Sequence, residues 1–252
     1  MLEIKLLKGT SIKGYKLVEG FPGIGLVGPM AISYMIDKLK MEYCGYVDSD
    51  KFPPMISIHE GKAMPPVRLY SSDKIKVVIV FAEFAIPISM VYELTQKLYE
   101  FIKDNELTEI ISINGMPTSS ASLEETGISN DKVYSIASSK KLAQDAAKAG
   151  MIPIAEGVAT GVSALLLLNA VSSQIDDINI LVPVNQNIID PKYAELAIQA
   201  INKILNLKID ITELDKESKE VEAKIKDLIK KSKETHDTFK KASEDSGPSM
   251  YA

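Results

Sequence analysis

Three observations predict an α/β protein with a largely parallel central sheet. Short runs rich in β-branched and aromatic residues recur through the first two hundred positions, and helical patterns lie between several of them. One run, KVVIVFA (76–82), is continuously apolar, as a central strand buried on both faces of a sheet must be.

The strand-like runs, in order, are YKLVE (15–19), YCGYVD (43–48), MISIHE (55–60), VRLYS (67–71), KVVIVFAE (76–83), EIISING (109–115), KVYSIA (132–137), MIPIAEG (151–157) and NILVPV (179–184). The pair 55–60 and 67–71, joined across GKAMPP, reads as an antiparallel hairpin. Of the helical patterns, GPMAISYMIDKL carries Pro29 where a first turn tolerates proline. PISMVYELTQKLYEFIKDN spaces Ile88, Val91, Leu94, Leu98 and Phe101 three and four residues apart, giving one apolar face. ASSKKLAQDAAKAG stops at Gly150, and DPKYAELAIQAINKIL offers Asp190 as its cap with Pro191 following.

The composition changes after residue 208. From Thr212 to Asp245 nine lysines face ten acidic residues, while Ile211, Leu214, Val221, Ile225, Leu228 and Phe239 fall on one heptad frame. Ser218, Ser232 and Thr235 occupy the remaining core slots, so this amphipathic helix is a poor coiled coil by itself. Thr212 and Asp215 resemble a capping box at its start, and it should pack on its own domain or a sister subunit there. The expected organisation is a domain over 1–208, a charged helical extension over 209–245 and a flexible tail over 246–252.

At 252 residues, 46% hydrophobic and 25% charged, the chain has material for one large core. A net charge of −5 argues against a nucleic-acid binder, which needs a basic face to displace counterions. No apolar run approaches a membrane span, since ALLLLNAV (164–171) is broken by Asn169, and the first ten residues lack the layout of a signal peptide. The single cysteine, Cys44, fits a reducing compartment, and cytoplasm is the expectation.

GFPGIGLVG (20–28) contains a literal G-x-G-x-x-G at Gly23, Gly25 and Gly28, with Asp48 twenty residues further on. That is the outline of a dinucleotide fingerprint. Its details fit poorly: Gly20, Phe21 and Pro22 separate the strand from the motif, and Pro29 removes a backbone N–H near where phosphate would sit. The favoured reading of Gly20, Gly23, Gly25 and Gly28 is therefore a tight strand-to-helix turn that needs small residues.

Glu19, Glu83, Asn114 and Glu156 each follow the carboxyl end of an expected strand, the edge where open α/β sheets bind ligands. Carboxylates gathered there can do acid–base work if their pKa values are driven apart. The alternative, which is preferred, is that each caps a neighbouring glycine-rich loop. No P-loop and no G-x-S-x-G elbow occurs anywhere. With His59, His236 and Cys44 as the only such residues, a zinc site lacks ligands, and neither metal nor cofactor is expected. His59 reads as a packed hairpin histidine and Cys44 as a small buried residue.

EGFPGIGLVG, FPP (52–54), AEFAIP (82–87), SINGMP (112–117) and EGVATGVSALLL (156–167) together resemble the proteasome assembly chaperone 2 family in its archaeal branch, over roughly residues 10–205. The resemblance implies a three-layer α/β/α fold like that of nucleoside phosphorylases, without established catalysis. It also implies self-association, with a tetramer favoured, and binding to α-subunits of the 20S proteasome. In that light the ending Met250-Tyr251-Ala252 acquires meaning, because it matches the hydrophobic–tyrosine–any-residue ending of proteasome activators. A terminal carboxylate can pair with a pocket lysine, Tyr251 offers a rigid face, and Gly247-Pro248 frees the tail from the helix. The expected function is an ATP-independent, non-enzymatic activator that docks this tail into the α-ring. The alternatives are a nucleoside or nucleotide enzyme using the strand-edge carboxylates, and a pure assembly chaperone holding α-subunits through its globular face.

Overall fold

The computed structural model describes residues 1–59, 61–118, 128–173, 175–186 and 188–214. Its elements run β1 (Leu2–Leu6), β2 (Lys16–Glu19), α1 (Val27–Lys38), β3 (Glu42–Ser49), β4 (Ser57–His59), β5 (Lys62–Met64), β6 (Val67–Ser72), β7 (Val77–Ala82), α2 (Ile88–Asp104), β8 (Glu109–Thr118), β9 (Tyr134–Ala137), α3 (Lys140–Lys148), β10 (Ile152–Pro153), α4 (Val162–Ser173), β11 (Asp176–Asn185) and α5 (Pro191–Ile204). All strands but β4 and β5 join one sheet in the order β1-β3-β6-β7-β2-β8-β11-β9-β10. Its centre, β7-β2-β8-β11, is parallel, and antiparallel strands extend it on both flanks.

Alternation along the strands sends side chains to two separate cores. On one face Val18, Ile79, Ile111, Ile113, Ile180 and Val182 meet α1, α3 and α5. On the other, Leu17, Val78, Val80 and Ile110 meet α2 and α4. The result is the expected three-layer α/β/α arrangement. All six residues of β7 are buried, as its unbroken apolar run requires of a strand between two neighbours under two helical layers.

Local signals explain the helix ends. Asp190 caps α5 by accepting a hydrogen bond from the Lys192 N–H at 2.9 Å, with Pro191 in the first turn. Ser139 caps α3 by accepting from the Leu142 N–H at 3.2 Å. Packing continues past residue 208. Ile209 and Leu214 are buried against the α1 and α5 core, the Tyr34 hydroxyl donates to the Asp210 carbonyl at 2.6 Å, and Lys38 pairs with Glu213 at 2.6 Å. The rest of the charged helix, Asp215 included, and Met250-Tyr251-Ala252 lie outside the described residues.

Four expectations need correcting. The hairpin is β4 with β5, whose strand 62–64 lies inside the stretch read as a connection, while 67–71 pairs with β3 and β7 instead. Strand β1 went unread although its L-E-I-K-L alternates as an edge strand does. Only Ile152–Pro153 of 151–157 is strand, since that segment leaves the sheet edge to become a loop. Ile88, placed on the apolar face of α2, is 92% exposed, and Met90, Leu94, Leu98, Phe101 and Ile102 do the burying. Helix α2 begins at Ile88, so the sheet does not reach its first residue.

Candidate functional site

The glycine turn is shaped by backbone proximity. Gly20, at the end of β2, lies against Gly28 in the first turn of α1, and a methyl added to Gly28 would sit 2.8 Å from the Gly20 Cα and 2.8 Å from the Ile113 carbonyl oxygen. Gly25 has φ +71° and faces Val184, whose Cγ1 would be 3.0 Å from an added Cβ. Leu26 follows at φ 52°, a left-handed conformation costly for a branched side chain and held here by burial. Gly23 differs: its φ is −140°, and an added Cβ would meet nothing closer than 3.9 Å. The literal G-x-G-x-x-G therefore mixes two glycines that the packing demands with one that it does not. Gly115, on β8, is a further close approach, its α-carbon lying against the Ile24 carbonyl.

Beside this turn, where α4 begins, a cavity of about 680 Å³ opens at the carboxyl ends of β8 and β11. Phe21, Ile24, Met116 and Leu181 supply apolar wall, the 154–161 loop forms one side, and Asn114, Asn179, Ser163 and Glu156 are its polar members. The four residues expected just past strand ends thus divide, and Asn114 lies inside β8, which runs on to Thr118. Asn114 and Glu156 line the cavity, whereas Glu19 and Glu83 do not. Glu156 arrives by an unexpected route. Strand β10 runs antiparallel to β8 and β11, so its carboxyl end points to the opposite edge, and the following loop returns Glu156 to the cavity.

A polar strip lies on the sheet under α4. Ser163 Oγ donates to Asn114 Oδ1 at 2.9 Å, Asn114 Nδ2 donates to Asn179 Oδ1 at 3.3 Å, and Asn179 Nδ2 donates to Asp177 Oδ1 at 3.3 Å. Glu19 and Asp177 are both fully buried, which sequence reading missed for Asp177. Burial raises the Glu19 carboxyl against the opposing pull of the nearby Ser112 and Ser163 hydroxyls and of the Phe21 N–H, which donates to it at 3.2 Å. Burial also raises Asp177 well above the ordinary range, and the Glu19 charge pushes it further.

Glu83 belongs to a different cluster. It pairs with Arg68, only 1% exposed, through Nη2 and Oε1 at 2.7 Å, and with His59 Nε2 at 2.7 Å. The Ser57 hydroxyl donates to its other oxygen. Burial works to raise the Glu83 carboxyl, but hydrogen bonds from His59, Arg68 and Ser57 and the Arg68 charge outweigh it, so the group stays below the ordinary range. The His59 and Ser57 contacts to Glu83 fasten the β4–β5 hairpin to the sheet. Cys44 is buried, and burial raises its thiol.

Among the described residues the cavity walls hold Ser163, Thr160 and Glu156 but no histidine, lysine or cysteine. No group of three His, Cys, Asp or Glu among them can hold a metal ion, and no helix among them is long and apolar enough to cross a membrane.

The fold class these features define is an α/β/α sandwich with a strand-edge cavity. The chain belongs to the PAC2 family, which matches it over residues 17–229. It is 27% identical over 213 residues to Uncharacterized protein MJ0106 of Methanocaldococcus jannaschii, covering 84% of each chain. Among solved structures it is similar to Pyrococcus furiosus PbaA, described as an archaeal homolog of proteasome-assembly chaperone, with TM-score 0.80, 26% identity and coverage of 94% and 99% of the two chains. Pyrococcus furiosus PbaB, described as an archaeal proteasome activator, shares the fold at TM-score 0.72 and 24% identity, with coverage of 90% and 98%.

Proposed function

We propose that this protein is a non-enzymatic partner of the 20S proteasome core, which docks Met250-Tyr251-Ala252 into pockets of the α-ring and promotes gate opening. The observation that carries the reading is that hydrophobic–tyrosine–any-residue ending, behind a Gly247-Pro248 break, on a chain of the PAC2 family. The chemistry suits a tethered ligand: a fixed carboxylate for a lysine, a rigid aromatic face, and an adaptable methionine. One such tail buries little surface, so self-association supports the reading through avidity, on the order of 10²–10⁴ for linked copies. Ile88, Tyr92, Leu168 and Val171, exposed on the adjacent helices α2 and α4, are the candidate subunit contact, with a tetramer as the favoured state. The working compartment is the cytoplasm.

A second reading is supported by the likeness to PbaA, a homolog of proteasome-assembly chaperone: an assembly chaperone that holds α-subunits through its globular face. One experiment separates the two. Peptide hydrolysis by the cognate 20S core is measured with the full chain and with residues 1–249, alongside pull-down of the core and of free α-subunits. The activator reading expects stimulation and core capture to vanish with the last three residues. Capture of free α-subunits that survives the truncation, without any stimulation by the full chain, supports the chaperone.

A further inference from the structure

Docking through the tail leaves the 680 Å³ cavity unused, and its chemistry selects a ligand. Its volume lies in the range of small-molecule sites, roughly 300–1,000 Å³. Among the described residues no lysine, arginine or histidine lines it, and Glu156 sets a carboxylate in its wall beside the α4 start. A phosphate would meet a like charge there with no cationic side chain to pair it. Beneath the floor, burial pushes Glu19 and Asp177 toward their neutral forms, so they add little to the pull that Glu156 alone exerts on a cation.

The polar groups that remain are specific. Asn114 spends one Nδ2 hydrogen on Asn179 and one Oδ1 lone pair on Ser163, leaving one N–H and one lone pair on the same amide. An asparagine donor beside its acceptor is the group that reads a nucleobase edge in bidentate fashion. Glu156, exposed on the 154–161 loop, makes no hydrogen bond or ion pair with the described residues, and a carboxylate is the group that holds ribose hydroxyls. Phe21 and Met116 supply apolar surface for a flat ring.

We propose that this cavity binds an uncharged ribonucleoside, with the base edge on Asn114 and the ribose diol on Glu156, and with no subsite for a 5′-phosphate. Two neighbouring hydroxyls and a donor–acceptor edge are what the site recognises, so a free sugar or a free base each satisfies only half of it.

The test is calorimetric titration of the full chain with adenosine, inosine, their 5′-monophosphates, 2′,3′-dideoxyinosine and ribose. The expected result is nucleoside binding with Kd below about 1 mM and monophosphates at least about tenfold weaker, the missing pairing of the phosphate being worth about 1.4 kcal/mol or more. Glu156→Gln, an exposed substitution that should leave folding intact, should weaken inosine several-fold and leave dideoxyinosine unchanged. Asn114→Asp should weaken both. Absence of nucleoside binding at millimolar concentration, or monophosphates binding as well as nucleosides, overturns the proposal. The same titration on residues 1–249 should be unchanged, so its outcome is independent of the α-ring reading.

Discussion

Alanine at two glycines of one motif should have opposite effects, and the structure sets the sizes. At Gly28 the new methyl would stand 2.8 Å from the Gly20 Cα and 2.8 Å from the Ile113 carbonyl oxygen. Both are backbone atoms, held by β2 and β8, so no side chain can rotate away. Overpacking of this kind costs about 1–3 kcal/mol. Alanine's better helix propensity returns at most about 1 kcal/mol, and less in a first turn. The net expectation is a loss of about 1–2 kcal/mol. At Gly23 φ is −140° and nothing lies within 3.9 Å, so alanine fits and the unfolded chain loses freedom. There the expectation is no change or a gain of about 0.4–1 kcal/mol. Urea unfolding measures both, with unchanged m-values and the midpoint moving down for Gly28→Ala and level or up for Gly23→Ala. In thermal unfolding the Gly28 variant should melt about 2–8 °C lower. If Gly23→Ala proved as damaging as Gly28→Ala, the packing account would fail, and a bound group needing all three glycines would become the better explanation.

The remaining predictions concern the buried charges and the tail. Glu83→Ala strands Arg68 as a buried, unpaired cation and should cost about 3–5 kcal/mol in denaturant unfolding. Because the folded Glu83 carboxyl is depressed, its contribution is complete above the ordinary glutamate value near 4.3 and is lost as pH falls through the folded value; Glu83→Ala should flatten that acid limb. Asp177→Asn should act in the opposite sense. With the folded carboxyl raised, stability drains away as pH climbs from the unfolded value to the folded one, so the variant should melt higher than the parent at pH 7 and no higher at pH 3. Tyr251→Ala should abolish stimulation of the 20S core with folding and oligomer size unchanged. One residue added after Ala252 should be nearly as harmful, since it moves the carboxylate by more than about 3 Å. A strictly monomeric sedimentation profile at micromolar concentration would count against the avidity on which this rests.

Much of the fold was legible because its signals are local. The buried run of β7 announces itself within six residues, and the Asp190–Pro191 start of α5 is complete within three. The glycine turn was read as structural from its spacing to the strand and from Pro29; Gly25 at φ +71° and the Gly20–Gly28 contact are packing reasons for small residues there, and Gly23 has none. Asn114 was named from the sequence as a pocket residue, although it lies inside β8 and not past its end, whereas Asp177, two residues before the run that marked β11, carried no such mark.

What the sequence by itself determined is most of the elements, the class of architecture and the family resemblance, all of which rest on periodicity, caps and short contiguous motifs. Only the tertiary structure decided which strands pair and which carboxylates meet. VRLYS could not be seen to join β3 and β7 rather than the hairpin, because pairing is chosen among distant partners and depends on register. Glu83 could not be seen to leave the strand-edge cavity for Arg68 and His59, nor Glu156 to be returned to it by a loop. A buried charge goes where an opposite charge is held within hydrogen-bonding reach, and that distance is set by the packing of the whole sheet and not by neighbours along the chain.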